Sequence, residues 1–164
     1  EFIEKLLGFK APVIRIMPNI NATVLEAMSA YCCSESVTDD QKEFVNKLCS
    51  SFGKVMPLSE SYFPLFCSIA GCAPAYAYMF IDSLARSAVK NGMNKSVALE
   101  IAAQTVLGSA KKILESDEHP WELIDKVCSP GGTTIEGIVS LQKDGFESAV
   151  CNAVDAALQK DKKV

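Results

Sequence analysis

The sequence predicts a mainly α-helical chain in which an α/β segment over residues 1–58 precedes an all-helical domain over residues 59–164. Three observations carry that expectation. Helix and strand signals alternate as far as Leu58; from Ser59 the two-residue alternation gives way to 3.6-residue periodicity; and glycines, prolines and capping residues divide the second stretch into five helices. With 164 residues and 49% hydrophobic content, the chain has enough apolar side chain for a core.

Glu1 to Leu7 reads as the end of an amphipathic helix closed by Gly8, and Val13 to Met17 as a short strand stopped by Pro18 and Asn19. Extended chain is expected from Thr23 to Cys32. Thr38 and Gln41 have the spacing of a capping box, and Phe44, Val45, Leu48, Cys49 and Phe52 give the helix behind it one apolar face, ended by Gly53. Lys54 to Leu58 reads as another strand. Pro64 and Pro74 predict a short turn and then a long helix from about Pro74, closed by Gly92. A second helix spans Asn94 or Ser96 to Glu115, with Ala98, Ile101, Ala102, Thr105, Leu107, Ala110 and Leu114 spread almost all round it. His119-Pro120 opens a short helix to Val127. Two more follow, Thr134 to Lys143 and Phe146 to Gln159, split at Gly145, and Lys160 to Val164 is expected as a solvated tail.

These helices carry more apolar surface than one core of their size needs, which suggests an oligomer with helices from two chains interleaved. A monomeric bundle stays open on composition alone.

Charged residues make up 22% of the chain and sum to a formal charge of -4, which argues against nucleic acid or an anionic membrane as a partner. No apolar run in the sequence reads as a membrane span, and the opening EFIEKLLGFKAP does not read as a signal peptide, so a cytoplasmic location is expected. The chain opens on Glu1 rather than Met and is expected to be a fragment or a processed chain. The seven cysteines are odd in number and lack any C-x-x-C pair, so they read as small buried thiols rather than a disulfide framework. With His119 the lone histidine, no metal site is expected.

The segment with chemistry in it is Cys128-Ser-Pro-Gly-Gly-Thr-Thr-Ile135, a turn of small residues emptying into a helix. Adjacent glycines expose backbone amides, a helix start adds free N–H groups and partial positive charge, and Ser129, Thr133 and Thr134 offer hydroxyls, so a carboxylate or phosphate can be held there. The plainer reading, an N-cap with a flexible turn, is favoured by the residues alone. Neither G-x-G-x-x-G nor G-x-x-x-x-G-K-[ST] occurs. His119 reads as a cap before it reads as a general acid. Asp117, Glu118, Glu122 and Asp125 read as the acidic start of a helix; Tyr76, Tyr78, Met79 and Phe80 as packing; and Arg86 as a solvated or interface charge.

The stretch HPWELIDKVCSPGGTTIEGIVSLQKDGF, residues 119–146, resembles the C-terminal signature of pyrroline-5-carboxylate reductases. Upstream, Arg15-Ile-Met-Pro-Asn19 is similar to that family's strand and loop facing the nicotinamide, AGCAPAY at 70–76 to its S-G-S-G-P-A-Y helix start, and Gln104 to Gly108 to its Q-T-x-x-G. The blocks fall in family order from about residue 12 to 150. Ala70, Cys72 and Ala73 depart from the two serines and second glycine of the family pattern, and Pro64 stands where an acidic residue is common.

The resemblance implies a C-terminal remnant of a Rossmann-like nucleotide domain over residues 1–58 and a helical dimerisation and substrate-binding domain over 59–164. It also implies reduction of 1-pyrroline-5-carboxylate to L-proline with NADPH or NADH, in a homodimer or larger homo-oligomer. By resemblance, Ser129 and the amides of Gly131, Gly132 and Thr133 would cradle the substrate carboxylate, and the catalytic Thr134 hydroxyl would meet the ring nitrogen. Met17, Pro18 and Asn19 would lie near the nicotinamide, with the pyrophosphate fingerprint upstream of Glu1. The alternatives are a non-catalytic helical oligomerisation module and a reductase of a related cyclic imine carboxylate.

Overall fold

A strand buried on both faces needs small or apolar residues throughout, and Ala27 to Cys33 supplies them. In the computed structural model, which describes residues 2–161, that strand is the centre of a three-stranded mixed sheet. A helix α1 (Phe2–Leu7) precedes it. Strand β1 (Ile14–Met17) pairs antiparallel with β2 (Ala27–Cys33), in register from Ile14 with Cys33 to Met17 with Ala30. Strand β3 (Gly53–Pro57) pairs parallel with the other edge of β2, from Ala27 with Gly53 to Tyr31 with Pro57. A parallel neighbour needs a crossover, and helix α2 (Asp39–Ser50) provides it. The expected extended chain therefore begins only at Ala27, because Ile20–Val24 coils into a 3-10 turn before Leu25 takes φ +62.

The Thr38 box forms as read: the Gln41 amide donates to the Thr38 hydroxyl at 3.3 Å and the Thr38 amide to Gln41 Oε1 at 2.9 Å. Val45 and Cys49 of α2 pack on Tyr31, with Ile14, Cys33, Phe52 and Val55 around them. Gly53 is required where β3 begins. Its φ is +151, and a Cβ there would lie 2.2 to 2.7 Å from three backbone atoms of Ala27.

The helical chain starts earlier than Pro74. A 3-10 turn at Glu60–Tyr62 leads into α3 (Phe63–Phe66), a π turn at Cys67–Gly71 and α4 (Ala73–Lys90). Pro74 has no N–H for the Ala70 carbonyl and its ring crowds that position, so the chain widens by one residue: the Cys72 amide donates to Cys67 O at 3.0 Å, five residues back. The run Glu60–Lys90 is, by length and composition only, long and apolar enough to cross a membrane, which corrects the expectation that no such stretch exists.

Gly92, at φ +95, closes α4: its amide donates to Val89 O and that of Met93 to Ala88 O, so those two carbonyls of the last turn are satisfied. Helix α5 (Lys95–Glu115) is capped by Asn94, whose Oδ1 accepts from the Ser96 amide at 2.9 Å. Helices α6 (Pro120–Val127), α7 (Thr133–Lys143) and α8 (Phe146–Asp161) complete the described chain. Lys160 and Asp161 thus end α8 rather than begin a tail; Glu1 and residues 162–164 lie outside the described residues.

The chain forms two compact units. The described parts of Glu1–Pro74 and Val154–Val164 make one, and Ala75–Ala153 the other. The second has a thin core in which Ala85, Ala98 and Ala102 are buried with Ile81 and Ala88 against them. Leu99, Ile101, Leu107, Ile113 and Leu114 of α5 stand exposed, as do Tyr78 and Met79, so those two are not packed as expected. The cysteines also differ from the reading. All seven are free thiols, but Cys49 alone is buried and Cys151 is exposed.

Candidate functional site

The SPGGTT stretch lies in the second unit, between α6 and α7. His119 is a cap, as read: its Nδ1 accepts from the Trp121 amide at 3.2 Å while its own amide donates to Glu122 Oε2 at 2.9 Å. Glu118 is bonded to Lys126, and that hydrogen bond, ahead of all other influences, holds its carboxyl below the usual value. Glu118 and Glu122 thus anchor and cap α6. Tyr76 donates to Ala153 O at 3.3 Å, and the Phe80 and Phe146 rings meet at 5.9 Å. Arg86 pairs with Asp82, which also binds Lys95.

After α6, the Gly132 amide donates to Ser129 O at 2.9 Å and closes a tight turn over Pro130 and Gly131. Gly131 sits at φ +68, where a side chain is strained. Gly132 is bare for another reason. A Cβ there would lie 2.3 Å from Ser129 Oγ and 3.1 Å from Ser129 O, so the Ser129 side chain lies directly over it.

Gly132 is also the N-cap of α7 and supplies no side-chain cap, so the amides of the first turn of that eleven-residue helix point outward unsatisfied. Ser129, Gly131 and Thr133 are exposed; Gly132 and Thr134 are half-buried. Among the described residues, the hydroxyls of Ser129, Thr133 and Thr134 make no hydrogen bond. The turn therefore gathers free hydroxyls and outward amides at the positive end of a helix, a cradle suited to a carboxylate. One expected donor is not available. The Gly132 amide already closes the turn, so its contribution is shape.

Met17, Pro18 and Asn19 belong to the first unit. Met17 is the last residue of β1 and half-buried; Pro18 is exposed. Asn19 holds the loop, since its Nδ2 donates to the Ala70 carbonyl at 3.0 Å and its Oδ1 accepts from the Met28 amide at 3.1 Å. The carbonyl it takes is the one Pro74 leaves without an i+4 donor. Sequence reading missed this link; the signal was the proline four residues after Ala70. Arg15, also missed, lies with its guanidinium 4.6 Å from the Phe63 ring centroid and 3.0 Å from Glu60 Oε1. No glycine-rich cradle for a pyrophosphate accompanies Met17, Pro18 and Asn19 in the sequence.

The family model for pyrroline-5-carboxylate reductase dimerisation matches residues 60–164. The pyrroline-5-carboxylate reductase of Aquifex aeolicus is 40% identical over 164 residues, covering 100% of this chain and 62% of that protein. Among solved structures, the 1-pyrroline-5-carboxylate reductase of Streptococcus pyogenes is 41% identical with a TM-score of 0.90, over 99% of this chain and 64% of that one. The Plasmodium falciparum pyrroline carboxylate reductase, solved with NADP bound, is 35% identical with a TM-score of 0.90, over 98% and 65%. The chain thus spans just under two thirds of these relatives.

Proposed function

The chain belongs to the pyrroline-5-carboxylate reductase family, and from that premise we propose that it is the C-terminal part of an enzyme reducing 1-pyrroline-5-carboxylate to L-proline, the last step of proline biosynthesis. The observation that carries this reading is the Ser129–Thr134 turn opening an uncapped helix, because the substrate is a small ring bearing one carboxylate. Ser129 and the amides of Gly131 and Thr133 hold that carboxylate, and Gly132 keeps the Ser129 side chain in place over the turn. The half-buried Thr134 hydroxyl orients the ring nitrogen. Met17, Pro18 and Asn19 form the wall for the nicotinamide, with Asn19 fixing the loop through Ala70 and Met28. When bound, NADPH or NADH supplies the hydride; the residues of this chain bind and orient, so the reading does not require an acid-base pair among them.

The domain division proposed with this function is the remnant of the nucleotide domain over residues 1–58 and the dimerisation domain over 59–164. The match of the family model from residue 60 supports it. A homodimer or larger homo-oligomer covers the apolar side chains that α4 and α5 leave exposed. On this reading Glu60–Lys90 is an interface helix of a soluble, cytoplasmic protein.

The test uses the protein together with its own upstream coding sequence. It should oxidise NADPH or NADH when given pyrroline-5-carboxylate, and Thr134→Ala should lower turnover about tenfold or more, the scale of losing a positioned donor. Undiminished turnover in that variant rejects the role of Thr134; no oxidation by the unaltered protein rejects the reaction. A panel of other cyclic imine carboxylates separates this substrate from its relatives. The thin alanine core favours a second reading for the chain by itself, a non-catalytic oligomerisation module. Light scattering should then give a dimer or larger, with no change in NADPH fluorescence on titration.

A further inference from the structure

In an α-helix, residues five apart have Cα atoms about 8.7 Å from one another, beyond the roughly 7 Å at which two cysteines can still be bridged. The π turn at Cys67–Gly71 changes that. Its amide-to-carbonyl bond runs from Cys72 back to Cys67 at 3.0 Å, which draws these residues together on one side of the helix. Both are free and half-buried. The Cys67 sulfur leans along the turn past Gly71: a Cβ on that glycine would lie 3.3 Å from it. Gly71 itself is exposed, so a small reagent has a way in. Burial, with smaller effects from Cys72 and Asp161, pushes the Cys67 thiol up.

We propose that Cys67 and Cys72 are a reversible dithiol site that closes a disulfide across the π turn by exchange with a low-molecular-weight disulfide. The thiolate of one cysteine attacks the small disulfide, forming a mixed disulfide and expelling one small thiolate. The thiolate of the other attacks the protein sulfur of that bond and expels the second. Two protons and two electrons leave the pair, and one small disulfide becomes two thiols. The bridge would fix the widened turn whose Ala70 carbonyl receives Asn19.

The experiment exposes the full chain to oxidised glutathione, blocks remaining thiols with iodoacetamide and digests with trypsin. The peptide Val55–Arg86, which holds Cys67 and Cys72 and none of the other five cysteines, should be unalkylated and about 2 Da lighter than its reduced form. Dithiothreitol should restore two alkylatable thiols. Cys67→Ser and Cys72→Ser should each abolish the lighter peptide and leave the remaining cysteine as a glutathione mixed disulfide. If both cysteines of the unaltered protein stay alkylatable, end as two separate mixed disulfides, or join to another cysteine of the same or a second chain, the proposal fails. None of these outcomes depends on reductase activity.

Discussion

The contact between Ser129 and Gly132 can be measured by a double-mutant cycle on stability. Gly132→Ala has two effects. It replaces glycine by alanine at an N-cap, which costs roughly 0.5 kcal/mol, and it sets a Cβ 2.3 Å from Ser129 Oγ. Ordinary carbon–oxygen contact needs about 1 Å more, so the hydroxyl must leave its position or the turn must open, at roughly 1 kcal/mol. The 3.1 Å approach to Ser129 O adds a smaller strain in either background. In Ser129→Ala the oxygen is gone, while Ser129 Cβ lies at an ordinary 3.5 Å. Gly132→Ala should therefore cost about 1 kcal/mol less there. Urea unfolding of the four proteins reads this directly, and a chain of this size should show a difference of about 2–4 °C in the corresponding Tm shifts. Equal costs in both backgrounds, within about 0.4 kcal/mol, would refute the argument that the serine side chain is what keeps position 132 bare.

Gly53→Ala should be far more damaging, about 2–5 kcal/mol, because left-handed strain and collision with the Ala27 backbone add; Gly92→Ala, with open space around it, serves as the control, and similar urea midpoints for the two would contradict the clash. Asn19→Ala should cost about 1–3 kcal/mol for a stranded carbonyl and amide, and Asn19→Asp should do no better, since a carboxylate oxygen would face the Ala70 carbonyl; full stability of the aspartate variant would argue against the Nδ2 bond. The Asp82 carboxyl is held below its ordinary 3.8, first by the Lys95 hydrogen bond and then by Arg86. A group depressed in the folded state contributes stability above its unfolded value and loses it as pH falls through the folded one. Acid unfolding below pH 3.8 should accordingly be shallower in Asp82→Asn, and an unchanged profile would count against this pair.

Several features were legible because their causes are local. The Thr38–Gln41 box, the Gly92 stop, the Asn94 cap and the His119-Pro120 start each depend on groups within four or five residues of one another. The SPGGTT turn was legible for the same reason, and its resemblance to a reductase family carried the functional reading. The 3-10 turn before β2 was not. That turn forms where Asn19 binds Met28 and Ala70, nine and 51 residues away, and a one-dimensional pattern has no sign of such a meeting.

The sequence by itself determined the caps that open α2, α5 and α6, the Gly92 stop, the acidic balance, and the turn that can hold a carboxylate, since each follows from the chemistry of neighbouring residues. Only the tertiary structure decided which apolar side chains remain uncovered, which amide of the turn is already engaged, and that a π turn brings Cys67 to Cys72. Those outcomes depend on which distant segments meet, and on how a proline's missing donor is made good by an asparagine from another part of the chain.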